Sequence, residues 1–92
     1  MTPNQVLKQF RRERELTHEQ MAEVLGLTRA RLSQYESGDS IPAERIREWS
    51  NSSKLPDWAR HMAYQMWLAW LEQQHVAIGE QIEALSHVVM EH

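Results

Sequence analysis

Apolar residues recur at helical spacing along almost the whole chain, and the gaps between the periodic stretches hold the residue types that start and stop helices. Thr2-Pro3-Asn4-Gln5 predicts a helix start: threonine can cap, proline suits the first turn, and glutamine three residues on completes a capping box. Val6, Leu7 and Phe10 supply the apolar side of that helix. Thr17-His18-Glu19-Gln20 repeats the signal, so a second helix is predicted over about His18 to Leu25, with Met21, Ala22 and Leu25 inward and Gly26 as its end. Thr28 caps a third helix that turns Leu32 and Tyr35 to the core, and Gly38 stops it. Ile41-Pro42 opens a fourth with Ile46 and Trp49 inward, closed by Asn51-Ser52-Ser53.

Beyond that serine-rich stretch the pattern widens. Trp58, Met62, Met66 and Trp70 form one row at spacing four, and Leu55, Ala59, Ala63, Trp67 and Leu71 form the next. This apolar face is broader than a surface helix of a small domain requires. Leu71, His75, Ile78, Ile82, Leu85 and Val89 then step by fours and threes, a short heptad-like seam containing Gly79. The pattern allows one long helix over residues 57–90 or two that meet near Gly79. Two regions are expected, 1–53 and an extension over 54–92, in an all-α fold.

The sharpest local signal lies in the middle of the first region. Two short helices joined at Gly26, the second capped by Thr28, have the layout of a helix-turn-helix, whose second helix fits a DNA major groove about 12 Å wide. The run from Leu16 to Gly38, LTHEQMAEVLGLTRARLSQYESG, resembles the core of phage repressor and Cro-type (Xre family) DNA-binding domains. The Leu-Thr start, the alanine inside the second helix, the turn glycine, the Leu-Ser pair and the aromatic-Glu-x-Gly ending all fall at that family's spacing. The resemblance covers about residues 4 to 50 and leaves the last forty or so outside.

Residue chemistry then divides the roles. Leu16, Met21, Ala22, Leu25, Leu27, Leu32 and Tyr35 are expected to hold the helix crossing. On the opposite side of the third helix Arg29, Ala30, Ser33 and Gln34 face outward, as candidates for base contacts. Arg29 can fork onto guanine, Gln34 can pair with adenine, and the Ala30 methyl can meet a thymine methyl. Thr17, His18 and Thr28, at helix N-termini where unpaired N–H groups meet anions, are candidates for phosphate contacts, with Arg31 at the rim. The resemblance pairs Glu36 with Arg11; a structural ion pair is the expectation, with Arg11 also a candidate near a phosphate. Two positions depart from the family pattern. His18 stands where glutamine is usual, and Asp39 stands where a neutral or basic residue is usual, which puts the customary backbone contact there in doubt.

Composition narrows the function classes. The chain has 92 residues, 41% hydrophobic and 25% charged, with no cysteine. Disulfides, thiolate metal sites and cysteine nucleophiles are thereby excluded, and so short a fold has little interior for a substrate cleft. A binding module is expected rather than an enzyme. The net charge of −3 is unevenly spread: residues 1–50 balance eight basic against eight acidic groups, and the excess of acid lies in residues 51–92. A generally basic nucleic-acid binder is excluded; a local basic face on the first half is not. The five histidines form no zinc-ligand pattern, Glu80 and Glu83 read as a solvated face, and Trp58, Trp67 and Trp70 read as packing rather than as base-stacking platforms. No metal and no cofactor are expected. No apolar run reaches bilayer length and the N-terminus lacks signal-peptide order, so a cytoplasmic location is expected and a membrane partner is not.

The expected function is sequence-specific binding of double-stranded DNA as a homodimeric repressor on a near-palindromic operator. Trp58, Met62, Met66, Trp67, Trp70, Leu71, Ile78, Ile82 and Leu85 are the expected dimer interface, because they present more apolar surface than four short helices can cover. The alternatives are an antitoxin whose extra helices hold a toxin, and a helix-turn-helix interaction module that binds no DNA. An all-α domain detached from a catalytic partner, as in cyanase-like chains, is the remaining enzyme class.

Overall fold

Each predicted helix start and stop coincides with a helix boundary. The computed structural model describes the backbone of residues 1–90 and the side chains of residues 1–74. Its helices are α1 (Pro3–Glu13), α2 (His18–Leu25), α3 (Arg29–Glu36), α4 (Ala43–Asn51) and α5 (Asp57–Met90), and no strand is present among the described residues. The fold is all-α, and α5 runs as one helix through Gly79.

Two capping boxes set the starts of α1 and α2. The Thr2 hydroxyl accepts from the Gln5 backbone N–H at 3.2 Å while Gln5 Oε1 accepts from the Thr2 N–H at 2.8 Å. Thr17 and Gln20 repeat the arrangement at 3.1 and 2.9 Å. At α3 the Thr28 hydroxyl accepts from Arg31 N–H at 3.1 Å, and the third helical position, an arginine, returns no bond. Each cap satisfies a donor that the first helical turn would otherwise leave unpaired.

The first three helices also end alike. Leu16 N–H donates to Arg11 carbonyl and Glu15 N–H to Arg12 carbonyl; Leu27 and Gly26 do the same to Ala22 and Glu23, and Asp39 and Gly38 to Gln34 and Tyr35. This paired reversal requires a left-handed residue at its centre. Gly26 (φ 69°) and Gly38 (φ 117°) supply it at α2 and α3, and Glu15 (φ 55°) supplies it at α1.

One core joins all five helices. Val6, Leu7, Met21, Ala22, Leu25, Leu32, Tyr35, Ile46 and Trp49 are buried together, and Met62, Ala63, Met66 and Ala69 of α5 belong to the same cluster. The core thus continues past the serine-rich stretch, as α5 lies across α4 and α1. Two polar features lock this packing. Trp49 Nε1 donates to the Leu25 carbonyl at 3.2 Å, which ties α4 to the end of α2 and satisfies a buried indole N–H. The Arg14 guanidinium sits 4.4 Å from the Trp58 ring centre, joining the end of α1 to the first turn of α5.

Both apolar rows of α5 turn toward the core, with Ala59 and Ala63 of one buried beside Met62 and Met66 of the other. Met62 and Met66 are completely buried within the monomer, so their expected place in a dimer interface is corrected: they have no surface to give a partner. Trp58 and Trp67 are half-buried and pack on the core, Trp67 stacks on Trp70 at 5.0 Å, and the Arg47 guanidinium lies 5.6 Å from the Trp67 ring. Leu71 is exposed. The side chains of Ile78, Ile82 and Leu85 lie outside the described residues.

Candidate nucleic-acid interface

The α2 and α3 pair is joined by Gly26, Leu27 and Thr28, and the left-handed turn at Gly26 sets the direction in which α3 leaves. Leu32 and Tyr35 anchor α3 in the core. Arg29, Ala30, Arg31, Ser33 and Gln34 are all exposed, while Glu36 turns back toward α1. Arg29 and Ser33 are one turn apart, as are Ala30 and Gln34, so the four candidate base-reading residues share a face. Arg29, Ser33 and Gln34 carry short or forked polar heads and Ala30 a methyl, groups of the kind that address base edges.

Behind this face α3 is held from two sides by α1. Arg11 donates from Nε to Glu36 Oε2 at 2.7 Å and from Nη2 to Glu36 Oε1 at 3.0 Å, while its Nη1 donates to the Leu16 carbonyl at 3.0 Å. The two side chains are only 13% and 5% exposed. Pairing with Glu36 is as the family resemblance implied. These three bonds use three of the five guanidinium N–H donors, so Arg11 serves first as a structural partner of Glu36. The other clamp was not foreseen. Asn4 Nδ2 donates to the Tyr35 carbonyl at 2.7 Å and to the Asp39 carbonyl at 2.6 Å, capping the last turn of α3 from the start of α1. Nothing local in sequence marks it, since its partners lie 31 and 35 residues away.

Thr17 and Thr28 are exposed at the N-termini of α2 and α3. His18 is half-exposed, with Nε2 3.6 Å from Glu36 Oε1, so it borders the Arg11–Glu36 pair. Glu19 is a second residue that sequence reasoning passed over. Its carboxylate stands 3.8 Å from Arg29, and both side chains are well exposed. Such an exposed pair contributes little energy, but it places an acceptor beside the arginine. Asp39 is exposed beyond the end of α3.

Comparison with protein families bears directly on this geometry. A family model described as helix-turn-helix matches residues 7–51. The match supports a Cro-type (Xre-like) helix-turn-helix domain over these residues. The family is one of DNA-binding transcription regulators. In the helix-turn-helix domain of this chain, α2 and α3 are the two helices of the motif, and α1 and α4 close its core. Comparison with curated proteins and with solved structures returns no match. Among the described residues, no three histidine, aspartate or glutamate side chains are grouped to hold a metal ion, and no helix is long and apolar enough to cross a membrane.

Proposed function

We propose that the chain is a sequence-specific regulator of transcription that binds double-stranded DNA as a homodimer and represses by occupying a near-palindromic operator. The observation that carries this reading is the outward face of α3. Arg29, Ala30, Ser33 and Gln34 stand exposed on a helix that Leu32, Tyr35, Glu36 and Asn4 tie to the core and to α1, on a domain that resembles a DNA-binding family. In this reading α3 enters the major groove, and its four outward side chains read bases. Thr17, His18 and Thr28 position the domain on the phosphates with Arg31 at the edge. One module buries only about 600–1,000 Å² of protein surface on DNA, so a second copy on the adjacent half-site supplies the remaining specificity.

The test is a gel-shift titration of the purified chain against fragments selected from a genomic library. A saturable shift on a discrete set of fragments supports the regulator, with Arg29→Ala and Gln34→Ala weakening the selected site and sparing random DNA. No shift at low salt overturns it in favour of the interaction module. The antitoxin alternative differs in the occupant of α5, and its signature is co-purification with a small basic protein in fixed stoichiometry.

A further inference from the structure

The inward stripe of α5 runs through Met62, Met66 and Ala69, all buried. A second stripe, displaced from it by two residues and hence by roughly 200° around the helix at 3.6 residues per turn, stays uncovered. Its members are Tyr64, Leu68 and Leu71, which are 50%, 39% and 41% exposed and, apart from Met1, are the exposed large apolar residues of the described chain. Their spacing of four and three continues without a break into the sequence positions 75, 78, 82, 85 and 89. The full set is a heptad register: Leu68, His75, Ile82 and Val89 at a, and Tyr64, Leu71, Ile78 and Leu85 at d. A strict repeat over more than three heptads is the signature of a helix wound on another helix.

We infer that Tyr64 to Val89 pairs with the same segment of a second copy in a parallel, in-register, two-stranded coiled coil. This deepens the homodimer reading above and rests on it for the biological role of the pair. Three features select the occupant. First, the flanking e and g positions between 65 and 86 are Gln65, Trp67, Glu72, Gln74, Gly79, Gln81 and Ser86, with a single charge among them. A second copy meets no like-charge barrier there, and a strongly charged foreign helix finds no complement. Second, β-branched Ile82 and Val89 at a with Leu71 and Leu85 at d form the combination that favours two parallel strands, while Leu68 at a and Ile78 at d do not follow it. Third, a polar residue at one a position fixes register and orientation. In-register parallel pairing sets His75 against His75, where one neutral ring can donate to the other. An antiparallel pairing that keeps the same layers sets His75 against Ile78, which offers no partner for a buried ring nitrogen.

The full chain contains no cysteine, which makes single-cysteine crosslinking clean. Leu71→Cys and Leu85→Cys are each oxidised with glutathione disulfide and run on non-reducing gels, with Gln73→Cys, at the f position on the outside of such a pair, as control. Parallel pairing makes the first two variants disulfide-linked dimers and leaves the third without a crosslink. Antiparallel pairing cannot bring both 71 to 71 and 85 to 85, so failure of either crosslink overturns the inference, as does a monomer of the unmodified chain in sedimentation at micromolar concentration. His75→Ile provides an independent readout: the dimer dissociation constant falls by about tenfold or more, and an unchanged or raised value counts against His75 as the register residue. The crosslinks are read without DNA, so a failed gel shift overturns the regulator reading alone.

Discussion

Arg11 and Glu36 stand 25 residues apart in sequence and meet through two nearly parallel hydrogen bonds, Nε to Oε2 at 2.7 Å and Nη2 to Oε1 at 3.0 Å. The pair links α1 to the last turn of the recognition helix, and a third bond from Arg11 to the Leu16 carbonyl ties in the turn before α2. Removing one partner leaves a mostly buried charge uncompensated. Glu36→Ala and Arg11→Ala are each expected to cost about 3 kcal/mol in urea unfolding, whereas replacing both by apolar residues of similar volume recovers most of that loss. Arg11→Lys keeps the charge but loses the fork, and falls in between.

Asn4 makes the complementary clamp, and its removal separates stability from recognition. Asn4→Ala deprives the Tyr35 and Asp39 carbonyls of their shared donor. The expected cost is about 1–2 kcal/mol of folding stability. Because the clamp acts on the C-terminal turn of α3, specific DNA affinity falls by more than non-specific affinity when both are measured on the folded variant. Equal losses on the two kinds of DNA count against a positioning role.

Glu15 is the outlier among three otherwise matching helix ends. With φ at 55° it holds the left-handed position that Gly26 and Gly38 occupy after α2 and α3. A side chain there is strained by about 1–2 kcal/mol, part of which is returned by the lower unfolded-state entropy of glutamate relative to glycine. Glu15→Gly is therefore expected to stabilise the fold by about 0.5–1 kcal/mol, visible as a raised thermal midpoint. A lowered midpoint contradicts the strain argument.

These residues also mark how far local pattern carried. The starts of α1, α2 and α3 were legible because Thr2, Thr17 and Thr28 act within their own first turns, and the ends of α2 and α3 because glycine is chemically conspicuous. The end of α1 carries no such mark, since Glu15 is an exposed glutamate in a turn held by hydrogen bonds from Glu15 and Leu16 N–H to α1 and from Arg11 to the Leu16 carbonyl. The Asn4 clamp depended on partners 31 and 35 residues away, which no local window contains. On α5 the inward rows through Met62 and Ala63 were visible as spacing, but the outward stripe was not, because Tyr64 and Leu68 lie on neither row and Leu71 was grouped with the buried Ala59 and Ala63.

The direction of those two stripes yields the last prediction. Met62 and Met66 fill the centre of the monomer, so Met62→Ala and Met66→Ala each open a cavity and are expected to cost about 2–5 kcal/mol. That loss is independent of protein concentration if it arises inside one chain. Leu68→Ala and Leu71→Ala remove side chains that the monomer leaves exposed. Unfolding of a dilute, monomeric sample should change by no more than about 0.5 kcal/mol for either. At higher concentration the parent's thermal midpoint rises with mass action as subunits associate, and in the leucine variants this rise should shrink or vanish. Thermal scans across a hundredfold range of concentration separate the two classes. Methionine variants whose deficit disappears at high concentration would return Met62 and Met66 to the interface, and leucine variants as unstable as the methionine ones when dilute would place the outward stripe in the core.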